Sequence, residues 1–185
     1  MVRVIAGSAK GLRLKTIDSE DTKPTLDRVK EAMFSILLPW IPNAVFVDVF
    51  AGNGSLGIEA LSRGCHSVYF NDLSRQCCKI IKDNLNFTKF QDKAFVYNLY
   101  YTKFIQKLSR MDIRADVILL DPPYGSEMIT ECIKALSSYN ICNDGGIILA
   151  EHAKTDILEE VIGDFVKFKT RDYGNVTLTL YERRV

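Results

Sequence analysis

From Val45 onward, short apolar runs alternate with amphipathic ones, and this rhythm constrains the fold more than any other feature. "VFVDVF", "SVYFND", "AFVYNL", "ADVILLD" and "GIILAEH" read as strands. Between them "LGIEALSR", "QCCKIIKDNLNF", "YTKFIQKLS" and "EMITECIKALSSY" carry apolar residues at helical spacing, and a further helical run is expected near residues 154–162. Parallel strands need crossovers long enough to hold a helix, so the alternation predicts an α/β fold with a doubly wound, mostly parallel sheet covered on both faces. The closing "FVKFKTRDYGNVTLTLYERRV" breaks the rhythm. Two long strands around Tyr173-Gly174-Asn175 predict a C-terminal antiparallel hairpin.

The residues ahead of this unit read differently. "VRVIAG" and "GLRLKT" predict an N-terminal β-hairpin within residues 2–16, with Arg13 and Lys15 on one face. "PTLDRVKEAMFSILLP" follows as a helix with Thr25 as its cap, Leu26, Val29, Met33, Ile36 and Leu37 as its apolar stripe, and Pro39 as its stop. Arg3, Lys10, Arg13, Lys15, Lys23, Arg28 and Lys30 concentrate positive charge here, partly offset by Asp18, Glu20, Asp21 and Asp27, although the whole chain carries only +1. A basic face of this kind suits phosphate, while the near-neutral total excludes a case from global charge alone. The expected division is residues 1–40 as a basic hairpin and helix extension and 41–185 as the main domain.

Composition removes several classes. At 185 residues and 47% hydrophobic the chain is long enough for a substantial core, and no uninterrupted apolar span has membrane length. Cys65, Cys77, Cys78, Cys132 and Cys142 have no paired metal-ligand spacing, so buried reduced thiols, no metal and a cytoplasmic setting are expected, with no membrane partner. His66 and His152 are read as structural.

Two motifs carry chemistry. "VDVFAGNGSLGIEA" places Gly52, Gly54 and Gly57 between a strand and a helix, and Asp72 ends the next strand about 20 residues later, where an acid accepts from ribose hydroxyls. This spacing alone admits either NAD or S-adenosylmethionine. "ILLDPPYGS" ends an apolar strand with Asp121, Pro122, Pro123 and Tyr124. The prolines stiffen the backbone, so the Asp121 carboxylate and the Pro122 carbonyl become fixed acceptors for the N–H groups of an amine awaiting methylation. Tyr124 is either a core aromatic or a stacking face for a planar substrate.

"DVFAGNGSLG" and "DPPY", together with "TKPTLDRVKEAMFSIL", "LGIEALSRG" and "DYGNVTLTLYE", resemble the bacterial RsmD family of ribosomal RNA methyltransferases over nearly the whole chain. The resemblance implies the seven-stranded class I S-adenosylmethionine-dependent methyltransferase fold with strand order 3-2-1-4-5-7-6. It implies methyl transfer to the exocyclic N2 of a guanine in 16S ribosomal RNA, in an assembling or assembled small subunit. Asp48 matches the acid near the methionine part of the cofactor. Phe50, Ala51, Gly52, Asn53, Gly54 and Gly57 match its loop, and Asp72, Leu73 and Asn98 its nucleoside end. Asp121, Pro122, Pro123 and Tyr124 match the amine site, and the basic residues above match an RNA-binding surface.

Three positions depart from the family pattern: Lys23 stands for an arginine, Asn53 for a serine, and Asn98 for an acid that often contacts adenine. Four residues of DPPY also suit adenine N6 or another amine. An NAD-dependent oxidoreductase and a non-enzymatic RNA-binding module remain the readings from other classes.

Overall fold

The computed structural model describes residues 2–17, 24–123 and 126–184. The expected hairpin is present: β1 (Val2–Arg3) pairs antiparallel with β2 (Arg13–Leu14). Helix α1 (Pro24–Leu37) begins one residue before the expected cap Thr25, because proline at the first helical position has no N–H to lose and a φ already suited to the helix. A 3₁₀ turn at Leu38–Trp40 contains Pro39 and ends the run.

The alternation then unfolds as β3 (Val45–Asp48), α2 (Ser55–Ser62), β4 (Ser67–Asn71), α3 (Arg75–Thr88), β5 (Ala94–Tyr97), α4 (Tyr101–Arg110), β6 (Ala115–Leu120), α5 (Ser126–Ser138) and β7 (Cys142–Ala153). Strands β8 (Val161–Ile162), β9 (Phe165–Tyr173) and β10 (Val176–Arg183) follow. Their order in the sheet is β5-β4-β3-β6-β7-β10-β9-β8. Counted from β3 and omitting β8, that is the expected 3-2-1-4-5-7-6. The β5-β4-β3-β6-β7 part is parallel, and β10 runs antiparallel between β7 and β9. Gly174, at φ +65, leads the two-residue turn of the closing hairpin, where a side chain would be strained.

Successive strand residues point to opposite faces, and the core divides accordingly. Phe46, Phe70, Val117 and Leu149 pack against α1, α2 and α3, while Val47, Ile118, Leu120 and Ile148 pack against α4 and α5. The sheet is therefore buried on both sides, as near-continuous apolar strands require.

One expected helix is absent. Residues 154–162 form a loop ending in β8. Leu158 and Ile162 are buried four residues apart, which mimics a helical stripe, but Ile157 is 92% exposed. The backbone here is held by neighbours instead: the Lys154 amide donates to the Asn175 carbonyl and the Lys167 amide to the Glu160 carbonyl.

Glu59 of α2 anchors the amino-terminal residues. Fully buried, it accepts from the backbone amides of Ile5 and Ala6 at 2.7 and 2.9 Å and from Arg63 at 2.8 Å. Lys30 of α1 lies 3.6 Å from it. A buried carboxylate needs such a set of donors to offset its desolvation. The hairpin is thus attached to α2, and Asn84 of α3 holds its far end through both backbone groups of Lys15.

Candidate active site

The loop after β3 is built by short-range hydrogen bonds. The Gly54 amide donates to the Ala51 carbonyl at 2.7 Å, and the Asn53 side chain accepts from the Ser55 amide at 3.0 Å. Gly52 and Gly54 have φ of +55 and +80, conformations that glycine adopts without strain. Nothing lies within 4 Å of where a Gly52 Cβ would stand, so this backbone faces open space where a ligand can approach. Gly57 has another purpose: a Cβ there would meet Phe70 Cε1 at 2.2 Å, so it allows α2 to lie close on the sheet.

Asp72 joins this loop to the end of β4. Its Oδ2 accepts from the Gly52 amide and its Oδ1 from the Ser74 amide, both at 2.8 Å. Asn71, which the motifs did not single out, ties the neighbouring strand ends: it donates to the carbonyls of Val49 and Leu99 and accepts from the Leu99 amide. Asn98 donates to the Asp72 and Leu73 carbonyls at 2.9 and 2.8 Å. In place of the family's acid it holds the turn, and the Leu73 side chain is 68% exposed.

Asp48 ends β3 with 1% exposure, and its Oδ2 has no hydrogen-bond partner among the described residues. Burial, then the charge of Asp121, raise its carboxyl to about 8, with the Gly57 amide acting the other way. An orphaned buried acceptor of this kind fits a cationic donor.

Asp121 follows the end of β6 and lines two cavities. One, of about 280 Å³, is bounded by Phe50, Ala51, Gly52, Asn53 and Lys30; the other, of about 460 Å³, by Pro122, Pro123, His152 and Asn175. Asp121 keeps access to solvent at the crevice mouth, yet the surrounding walls desolvate it and raise its carboxyl to about 6. Glu151, near the end of β7, lines both cavities too, and burial and the Asp121 charge push it upward. Sequence reasoning missed Glu151, although an acid closing the apolar run "IILA" was the same signal that marked Asp48 and Asp121.

These carboxylates decide between the two nucleotide readings. A pyrophosphate needs free N–H donors and a positive setting. Here the Gly54 and Ser55 amides are already occupied, Asp121 and Glu151 line the crevice, and Asp48 is buried near enough to feel the charge of Asp121. A sulfonium with an ammonium group is electrostatically complementary, and a dinucleotide is not.

Of the basic residues, Lys10, Arg13 and Arg28 are exposed. Arg3 and Lys15 are exposed but lie 3.1 Å from Asp27 and Asp83 respectively. Lys30 does not join that face. It is 4% exposed, donates to the Arg3 carbonyl and lines the smaller cavity, because α1 packs this side of itself against the core. Lys23 and Tyr124 lie outside the described residues. His152 bonds the Thr179 hydroxyl and the Ala153 carbonyl and also walls the larger of the two cavities, and all five cysteines are buried free thiols.

Comparison with known proteins agrees with this geometry. The family described as "Conserved hypothetical protein 95" matches residues 2–182. Ribosomal RNA small subunit methyltransferase D of Haemophilus influenzae is 34% identical over 182 residues, covering 98% of this chain and 93% of its own. Its namesake in Escherichia coli K12 is 30% identical over 182 residues, covering 98% and 90%. The solved structure of a candidate methyltransferase from Escherichia coli superposes with a TM-score of 0.87 at 29% identity, over 99% of this chain and 98% of its own. With the acidic crevice and the sheet order in place, these likenesses make the chain an S-adenosylmethionine-dependent enzyme that belongs to the ribosomal RNA small subunit methyltransferase D family.

Proposed function

We propose that this enzyme methylates the exocyclic N2 of one guanine in 16S ribosomal RNA, acting on the small subunit or its assembly intermediate in the cytoplasm. The observation that carries the reading is the position of Asp121: one carboxylate borders both the glycine-loop cavity and the cavity beyond Pro122 and Pro123. A methyl donor on one side and an amine on the other meet at that residue.

The residues present fit S-adenosylmethionine. Asp48 receives its ammonium, which supplies the donor that Oδ2 lacks, and the open face of Gly52 admits its uncharged nucleoside. Phe50, Ala51 and Asn53 wall the methionine side; Asp72, Leu73 and Asn98 frame the ribose and adenine side. Bound there, the cofactor supplies a methyl on an electron-poor sulfonium.

The chain's own part is to position the acceptor. Guanine's amine is a weak nucleophile because its lone pair is delocalised into the ring. Asp121 and the Pro122 carbonyl accept its two hydrogens, which aims the nitrogen and favours pyramidal geometry as the new bond forms. Tyr124 stacks the flipped base. Residues 1–40 form a basic extension in which Lys10, Arg13, Arg28 and Lys23, with Arg3 and Lys15, contact phosphates; such contacts place the RNA without reading its sequence. The α1 part of that extension also borders the cofactor cavity through Val29, Lys30 and Met33.

The test is incubation of purified small subunits and of naked 16S RNA with the enzyme and labelled S-adenosylmethionine, followed by nucleoside analysis. N2-methylguanosine supports the reading; label confined to N6-methyladenosine rejects it.

A further inference from the structure

Leu120 of β6 pairs with Ala150 of β7 in parallel register, so the next residue on each strand, Asp121 and Glu151, stand as neighbours at the carboxyl ends. Adjacent strands run about 4.8 Å apart, which brings the two carboxylates within reach of one planar base. Among the described residues they are the two that border both cavities. Glu151 is anchored on its other side by pairing with Leu178 of β10, so its backbone is fixed in the interior of the sheet.

Guanine offers two adjacent donors on its Watson–Crick edge, the N2 amine and N1–H. Adenine offers an amine beside an N1 lone pair. We propose that Glu151 accepts the N1–H of the target guanine while Asp121 accepts from the N2 amine, so that the pair of carboxylates selects guanine over adenine. The inference rests on the guanine-N2 reading above and names the residue that enforces it.

The electrostatics agree. Burial raises both carboxyls, and the charge of Asp121 raises Glu151 further. Two N–H donors entering between them relieve that repulsion, because hydrogen bonding favours the ionised form. An incoming lone pair offers the ionised pair no donor and is met only by a Glu151 that keeps its proton, so the guanine preference should widen as pH rises. A site that hydrogen-bonds a substrate N–H discriminates strongly against the analogue lacking it, since its own buried acceptor is left unpaired.

The probe is small-subunit RNA carrying 2-aminopurine in place of the mapped target guanine. This base keeps the N2 amine, replaces N1–H with a lone pair and lacks O6, so it is the change in the ratio between variants that reports on Glu151. The unaltered enzyme should methylate guanine at least about tenfold more efficiently, within the discrimination of one good base-edge contact. Glu151→Gln should bring the two substrates close to parity, because its amide can turn to donate to N1 of 2-aminopurine. Glu151→Ala, the second variant, should lower kcat/KM on guanine more than on 2-aminopurine. Both ratios are read at saturating cofactor, with cofactor affinity followed by calorimetry, because Glu151 also borders the glycine-loop cavity; the ratio of the two bases then separates base reading from a disturbed fold or a weakened cofactor site. A guanine preference as wide in both variants as in the unaltered enzyme overturns the inference, as does equal use of both bases by the unaltered enzyme. Absence of any N2-methylguanosine from the unaltered enzyme defeats the guanine reading and the inference together; guanine methylation whose selectivity ignores Glu151 defeats the inference alone.

Discussion

The Asp72 carboxylate accepts the Gly52 amide at 2.8 Å, so the acid that ends the second parallel strand also shapes the glycine loop after the first. Its other oxygen holds the Ser74 amide, just before α3. Asp72→Ala strips an acceptor from two backbone amides at once. We expect a loss of about 1 kcal/mol in unfolding free energy, toward the low end for unsatisfied groups because both amides are only half-buried. Cofactor affinity should fall as well, and denaturant unfolding paired with calorimetry separates the two effects.

The glycines should divide by readout. Gly57→Ala forces a methyl into Phe70, with an overpacking cost of roughly 1–3 kcal/mol. Its thermal midpoint should drop clearly. Gly52→Ala meets no atom but must hold a positive φ, for about 1–2 kcal/mol of strain, and places a methyl on the open face proposed for the cofactor. Its signature should be a raised cofactor Kd out of proportion to the change in melting.

Asp48 gives the ligand-free protein a pH dependence of definite sign. Its carboxyl titrates at about 8 when folded against 3.8 as the ordinary value, so folding retains a proton that the unfolded chain releases. The stability from this group is complete below the lower value and is lost as pH rises through the higher. Comparing melting of the unaltered protein with Asp48→Asn from pH 5 to 9 should show the difference moving in favour of the variant as pH rises. Cofactor binding near neutral pH should release a proton in the unaltered protein and not in Asp48→Asn, measurable by calorimetry in buffers of different ionisation enthalpy. A flat difference curve with no proton release would count against an ammonium partner for Asp48.

The basic residues separate into surface and core. Charge reversal at Lys10 and Arg13 should weaken RNA binding and flatten the dependence of log affinity on log salt by about 0.7–0.9 for each phosphate no longer neutralised. Lys30→Ala should instead destabilise the fold by about 3 kcal/mol, since it breaks a buried ion pair. Filter binding over a salt series and thermal melting distinguish them. Equal RNA affinity after reversal at both surface positions would remove the hairpin from the RNA interface.

That contrast shows what was legible from the residues alone. The strand and helix alternation came through because each element carries its own period, and Asp48, Asp72 and Asp121 were visible because each closes or follows an apolar run. Burial of one lysine among seven basic residues was not visible: Lys30 follows Val29 in α1, and only the packing of α1 against α2 reveals that Glu59 receives it. Glu151 carried the local signal of an acid closing an apolar run, but its place beside Asp121 depends on register, the pairing of Leu120 with Ala150, which local sequence does not encode. The loop at residues 154–162 misled through Leu158 and Ile162, whose four-residue spacing imitates a helix while separate neighbours fix each.

The most direct measurement is position-mapped mass spectrometry of small-subunit RNA after a single round of methyl transfer by the unaltered enzyme and by Asp121→Ala. The unaltered enzyme should place one methyl on N2 of one guanine. At saturating S-adenosylmethionine, Asp121→Ala should lose at least about a hundredfold in turnover, the scale of a removed positioning group, a far larger effect than its loss of cofactor affinity. Methyl found on adenine N6, or near-normal guanine methylation by a folded Asp121→Ala protein, would contradict the assignment of Asp121 as the residue that holds the target amine.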